Sequence, residues 1–377
     1  MNRRQMLQNL GSLAVAPAAL ITLEAALRRV PATATEDEIL SVRSEGWITD
    51  VDGIKVGHFT DDRRPTGCTV ILCSDESICG VAVPGGNPGT RLTDMLQPIR
   101  NPDNSVKVEA VVLTGGSDFG LASASGVERF LRERYFRKHK SESMPKPHVP
   151  IVPAAVIFDL FTGHDWRIVP TEESGYKACQ AAKGGKVAEG CVGAGAGAQI
   201  GYWGGHTTKS GLGTSSMKVG DTGIVVGAIC AVNAVGDVYN PRTGKLVAGA
   251  RSADGQRFSP IIDRLKAGEQ VLLPPAGTHT TISCVATNAS FDSASMAKIA
   301  QMASGAHARA IDPCWSPGDG DTVFAISTST LKTRVDHGAI GALAAEVLEE
   351  AILRAVVNAT GVAGLPSYRD VMKGRTQ

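Results

Sequence analysis

Neither sign of charge prevails in this 377-residue sequence: 38 Lys and Arg stand against 37 Asp and Glu, a net of +1. That balance argues against a nucleic-acid partner held by bulk charge. Aromatic residues are scarce, at 5%. Several catalytic templates are missing as well. There is no H-E-x-x-H, and His58, His206 and His279 lack the spacing of metal ligands, so no metal is expected. There is no G-x-S-x-G elbow. Ser295–Lys298 and Ser329–Lys332 fit S-x-x-K, but the companion motifs are absent and both matches read as coincidence. None of the eight cysteines forms a C-x-x-C pair, and most sit in apolar runs, so buried thiols are the expected state. No organic cofactor is expected either. Gly193–Ala198 approximates a G-x-G-x-x-A fingerprint, but no strand–helix unit surrounds it. Close backbone packing is the better reading of that run.

What is present begins at the N-terminus. Arg3-Arg4 precedes an apolar stretch from Leu10 to Leu23, and Ala32-Thr33-Ala34 offers a small-residue cleavage site. The pattern is similar to a twin-arginine signal, which predicts export and a periplasmic or secreted mature protein. An uncleaved amphipathic or membrane-anchoring helix is the alternative. No later stretch is apolar for long enough to span a bilayer. The expected organisation is an export signal over 1–34 and a single catalytic domain over 35–377.

Glycine is plentiful, at 43 residues, and predicts many tight turns. Strands are expected from Trp47 to Cys79, with a turn at Asp61–Pro65, and again at Val81–Val83, Val108–Thr114, Ile151–Phe158, Ile224–Val235 and Thr322–Ser327. Helices are expected after Gly120 to about Arg134, at Ser174–Ala182, Ser293–Ala310 and Gly338–Ala359. The basic, Pro-rich segment Lys138–Pro150 reads as a surface loop. Long strands with several helices predict a layered α/β domain.

Three constellations could carry chemistry. The polar knot Gly277-Thr278-His279-Thr280-Thr281-Ile282 opens into an apolar run. If the bond before Thr280 breaks, one residue carries a hydroxyl nucleophile and an α-amine base. Alternatively, these threonines begin a strand and bond locally. Asn233 lies inside the apolar run Ala231–Val235. Its amide could donate to an oxyanion or simply bond to backbone. Asp319 and Asp321 flank Gly320 ahead of another apolar run, either as a working acidic pair or as a surface turn.

Taken together, these segments resemble the DmpA-type L-aminopeptidase/D-esterase family, which includes β-peptidyl aminopeptidases and nylon-oligomer endohydrolases. The resemblance is carried in order by Lys55–His58, Gly67–Val70, Gly85–Asp94, Leu113–Ser117, Val152–Ala155, Val192–Gly195, Val232–Asp237, Thr280–Ile282 and Asp319–Thr322. It implies an αββα sandwich, a self-processed N-terminal-nucleophile hydrolase, cut between His279 and Thr280 into chains 35–279 and 280–377. Carried over residue by residue, Thr280 is the nucleophile, Asn233 the oxyanion donor, and Asp319 and Asp321 the acidic pair that orients Thr280 and could meet a substrate's α-ammonium. The substrate would be a short peptide, amide or ester, and the expected assembly a homo-oligomer of processed units. Three positions depart from the family's pattern: His279 stands where Asn is common, Tyr202 where many members have lysine (Lys209 is near but shifted), and Phe158 where some have tyrosine. Phe158 and Tyr202 therefore bear on substrate preference. Endohydrolysis of amide oligomers, acyl transfer, and an unprocessed exported binding protein are the rival readings.

Overall fold

Strands whose two faces are both apolar must be covered on both sides, and the chain does this with two stacked sheets between pairs of helices. The computed structural model describes residues 45–104, 106–142, 146–269, 279–333 and 335–374. The export signal expected at 1–34, and Gly277 and Thr278 of the polar knot, lie outside the described residues.

The strands, in chain order, are β1 (Lys55–Asp61), β2 (Thr66–Leu72), β3 (Ile78–Ala82), β4 (Thr90–Arg91), β5 (Ala110–Thr114), β6 (Ala154–Val156), β7 (Gln199–Ile200), β8 (Thr208–Lys209), β9 (Leu212–Lys218), β10 (Val225–Asn233), β11 (Asp237–Asn240), β12 (Lys245–Ala248), β13 (Thr280–Ala289), β14 (Ile311–Asp312) and β15 (Thr322–Leu331). The helices are α1 (Ala122–Lys138), α2 (Glu172–Ala181), α3 (Ile261–Lys266), α4 (Ser293–Ala310), α5 (His337–Val357) and α6 (Tyr368–Gly374). The first sheet runs β1-β2-β5-β6-β4 and the second β3-β15-β13-β10-β9. A small sheet, β12-β11-β14, and the β7-β8 pair complete the strands.

Side-chain alternation decides which residues meet between the sheets. Ile71, Val111 and Leu113 of the first sheet share one core with Ile229, Ala231, Ile282, Cys284, Phe324 and Ile326 of the second. Their neighbours Val70, Leu72 and Val112 point the other way, onto Val127 and Leu131 of α1 and Ala178 of α2. Helices α4 and α5 cover the outer face of the second sheet, where Met296, Ile299 and Ile340 meet Val226 and Val285. Each fully buried side chain of this size contributes about 1.5–3 kcal/mol. Both outer helices are capped by an aspartate. Asp292 accepts from the N–H of Ser295, and Asp336 from the N–H of Ala339.

The expected elements are found with shifted limits. Helix α1 runs through Lys138, into the start of the segment read as a loop. The strand expected over Ile151–Phe158 is confined to Ala154–Val156. The turn between β1 and β2 holds a surprise, for Arg64 within it is fully buried. All eight cysteines are free, six of them buried. Among the described residues no helix is long and apolar enough to cross a membrane.

Candidate active site

Strand β13 occupies the centre of its sheet, antiparallel to β10 and parallel to β15. Its first residue, Thr280, sits directly opposite Asn233, the last residue of β10. Directly opposed residues present their side chains on the same face. Ile282, next but one to Thr280, and Ala231, next but one to Asn233, both belong to the inter-sheet core. Thr280 and Asn233 therefore face the interior at one end of the sandwich. Two residues 47 positions apart, each ambiguous by itself, are brought together by one register.

The immediate partners of Thr280 are backbone groups. Its hydroxyl donates to the His279 carbonyl oxygen, the oxygen of the bond at which a cut is expected. The Gly320 N–H donates to that carbonyl oxygen at 3.1 Å and reaches the Thr280 hydroxyl oxygen at 3.2 Å. The residue at 320 must be small. A Cβ there would come within 2.8 Å of the Thr280 hydroxyl oxygen and 2.9 Å of the Asn87 carbonyl oxygen. The flanking aspartates stand out in the sequence and this glycine does not, because a backbone N–H leaves no signature in residue identity.

Asn233 is held at both ends of its amide. Its Oδ1 accepts from the Gln199 N–H at 2.9 Å, and its Nδ2 donates to the Phe158 carbonyl at 3.2 Å. An N–H can only donate and a carbonyl can only accept, so the partners fix which way round the amide lies. Among the described residues Nδ2 makes no other hydrogen bond, which leaves one of its N–H groups beyond the bond to Phe158. The Tyr202 hydroxyl lies 3.5 Å from Asn233 Oδ1, and its ring centroid is 4.5 Å from that of His279. Phe158 packs edge-on against the exposed Phe161, with centroids 5.0 Å apart. Phe158 and Tyr202 thus both border Asn233, the first through its backbone. Lys209 is buried elsewhere. Its ammonium donates to the carbonyl oxygens of Gly195, Ala198 and Ser210 and braces the glycine-rich run, and burial lowers its pKa.

Asp319 and Asp321 are both buried beside this centre. Asp321 Oδ1 accepts from the Thr281 N–H at 2.5 Å, and Asp319 Oδ2 from the Ser316 N–H at 2.6 Å. Asp321 therefore anchors the start of β13 through Thr281, one residue beyond Thr280, while Asp319 holds the turn at Ser316. Burial raises both carboxyls. For Asp321 the neighbouring Asp319 charge adds to it, and its pKa is pushed up to about 8 from 3.8. The sign of the consequence follows from linkage. A carboxyl with a folded value above its unfolded value stabilises the fold while protonated, and that stabilisation is lost as pH rises from the unfolded to the folded pKa. The uncut chain, kept uncut by Thr280→Ala, should therefore lose stability from this group between about pH 4 and 8, on the order of several kcal/mol. Asp321→Asn in the same background should remove that part of the slope. Urea midpoints at pH 5 and pH 8 measure it, and identical pH slopes in the two variants would refute the assignment.

The sequence matches the family described as peptidase family S58 over residues 46–369. The chain belongs to peptidase family S58. An uncharacterized aminopeptidase of Mycobacterium bovis is 39% identical over 354 residues, covering 87% of this chain and 98% of its own. A 6-aminohexanoate-oligomer endohydrolase of Kocuria sp. is 30% identical over 338 residues, covering 84% of this chain and 89% of its own. Among solved structures, the L-aminopeptidase D-Ala-esterase/amidase of Ochrobactrum anthropi aligns with a TM-score of 0.66 at 21% identity, covering 90% of this chain and 97% of that one. A Burkholderia sp. beta-aminopeptidase aligns with a TM-score of 0.60, also at 21% identity, covering 89% and 96%. The Ochrobactrum structure is reported as a new variant among the Ntn hydrolase folds. The family and the αββα fold expected from the resemblance are thus the ones found, and as an S58 member the protein is a peptide hydrolase.

Proposed function

We propose that this S58 peptidase cuts itself between His279 and Thr280 and then works as an aminopeptidase or amidase with Thr280 as an N-terminal nucleophile. The observation that carries the reading is the Gly320 N–H on the His279 carbonyl oxygen, with the Thr280 hydroxyl against the same carbonyl. In the first stage the Thr280 oxygen bonds to the His279 carbonyl carbon while Gly320 steadies the developing oxyanion. The C–N bond breaks, and the proton from the hydroxyl passes to the departing Thr280 nitrogen. Water then hydrolyses the His279–Thr280 ester, giving a carboxylate on His279 and a free hydroxyl and amine on Thr280.

In the second stage the new α-amine, with an ordinary pKa of about 8, takes the hydroxyl proton as Thr280 attacks a substrate carbonyl. The remaining Nδ2–H of Asn233 meets the oxyanion, the amine returns its proton to the leaving group, and water releases the acyl product. Of the acidic pair, Asp319 supplies the negative charge for a substrate α-ammonium, and that same charge adds to the burial that keeps Asp321 protonated near neutral pH. Phe158 and Tyr202 border the acyl site. Export through the N-terminal arginine pair, and assembly of the cut units into a homo-oligomer, belong to the same reading.

The 39% identity to an aminopeptidase over nearly its whole length favours exopeptidase action over endohydrolysis. Paired substrates test this. Aminoacyl p-nitroanilides with a free amine should be cleaved, and N-acetylation should lower kcat/KM by about 10²-fold, the scale of losing a buried charge contact. Equal rates on free and acetylated substrates would favour the amide-oligomer endohydrolase reading instead, for which the 30% relative is the precedent.

A further inference from the structure

The geometry points to Arg64 and Asp159 as positioning residues that hold the Asn233 amide in its working orientation, an inference that rests on Asn233 being the oxyanion donor. Their side chains form a fully buried ion pair, Arg64 Nη2 to Asp159 Oδ1 at 2.8 Å. Replacing such a pair by apolar residues is often neutral or stabilising, so stability alone gives little reason for it. Its other bonds show what it holds. Arg64 Nη1 donates to the Asp159 carbonyl at 2.5 Å and to the Thr162 carbonyl at 3.3 Å, and Nε to the Ile168 carbonyl at 2.7 Å. Asp159 in turn accepts from the Thr66 hydroxyl at 2.6 Å and the Gly116 N–H at 2.9 Å. One guanidinium thus pins the segment 159–168 to the β1–β2 turn.

Both ends of the Asn233 amide lead back to that segment, one directly beside it and one through Thr162. The Phe158 carbonyl, which receives Nδ2, belongs to the peptide unit that leads into Asp159. The Gln199 N–H, which holds Oδ1, comes from a residue whose side-chain amide donates to the Thr162 hydroxyl at 2.6 Å. That hydroxyl donates to the Gly197 carbonyl at 2.7 Å. Gly197 lies so close to Asp159 that a Cβ on it would come 2.6 Å from the Asp159 Cβ. If the segment shifts by a fraction of an ångström, both bonds to Asn233 shift with it. The free Nδ2–H then turns off the line to the oxyanion. A guanidinium serves here where an ammonium would not, because its planar fork engages a carboxylate and carbonyl oxygens at once.

The test is a double-mutant cycle between Arg64→Lys and Asn233→Ala, with kcat and KM measured on an aminoacyl p-nitroanilide and normalised to the cut fraction found by intact mass. Arg64→Lys alone should lower kcat about 10- to 10²-fold with KM within about twofold, the signature of misplacement rather than lost binding. In the Asn233→Ala background the same change should have little further effect, because the group it positions is gone. A loss that persists undiminished in that background overturns the role of Arg64 while leaving Asn233 in place. An Asn233→Ala enzyme with wild-type kcat overturns the Asn233 assignment, and the positioning role with it. Should Arg64→Lys fail to fold, Thr66→Val removes one hydrogen bond to Asp159 without touching the charges. It should lower kcat about 3- to 10-fold, again only when Asn233 is present.

Discussion

Thr280→Ala should yield one uncut chain with at least about 10³-fold less activity than wild type. In the proposed mechanism the hydroxyl attacks in both stages, so its loss should stop the cut, and without the cut no α-amine would exist to act as base. The fold should persist, since the hydroxyl's recorded partners are the adjacent His279 carbonyl and the Gly320 N–H, and the bonds of the β13 ladder are backbone bonds. Intact mass under denaturing conditions reads the result directly. Wild type should give a fragment beginning at Thr280, and Thr280→Ala none. Thr280→Ser, which retains the hydroxyl, should restore both the cut and the activity. Normal cutting or normal turnover in the alanine variant would sink the nucleophile assignment.

Asn233→Ala should lower kcat by about 10²–10³-fold and leave KM nearly unchanged, because the proposed donor would act on charge that develops only in the transition state. The variant also strands two backbone groups, the buried Gln199 N–H and the half-buried Phe158 carbonyl. A stability loss of about 1–3 kcal/mol is expected from that. The two effects separate cleanly. Denaturant unfolding reports the second, and kcat per folded, cut molecule reports the first. A variant that loses stability but keeps kcat would make Asn233 a structural amide alone.

Much of this was legible in residue order, and what was not has physical reasons. Strands β10 and β13 are written plainly as apolar runs, and Asn233 stands out in one of them as a polar residue that must find partners. Their pairing is not local, however, and only the register shows that Asn233 and Thr280 are opposite one another. Asp319 and Asp321 were visible as spaced carboxylates, but their bonds run to the backbone of Thr281 and Ser316. The group that meets the Thr280 hydroxyl is the N–H between them, which no side-chain pattern can announce. Arg64 was hidden most deeply. An arginine in a turn next to Arg63 and Pro65 reads as solvated, and its carboxylate partner is 95 residues further along the chain. Phe158 stands out in the sequence as a ring that replaces a phenol, yet its bond to Asn233 is made by its carbonyl oxygen.

The central place of β13 has a consequence for the protein as a material. A break before Thr280 leaves β3, β9 and β10 in one piece and β13, β15, α4 and α5 in the other. Yet β13 stays zipped to β10 along Thr280–Thr287, and β15 to β3 along Val323–Ser327. Neither piece could leave without baring unpaired strand edges and half of a core. The cut protein is then a permanent heterodimer joined through the interior of a sheet. Its melting would differ in kind from that of the uncut chain. Once the pieces part, reunion is a second-order event that slows with dilution, and the covalent link that first guided the fold is no longer there to guide it again.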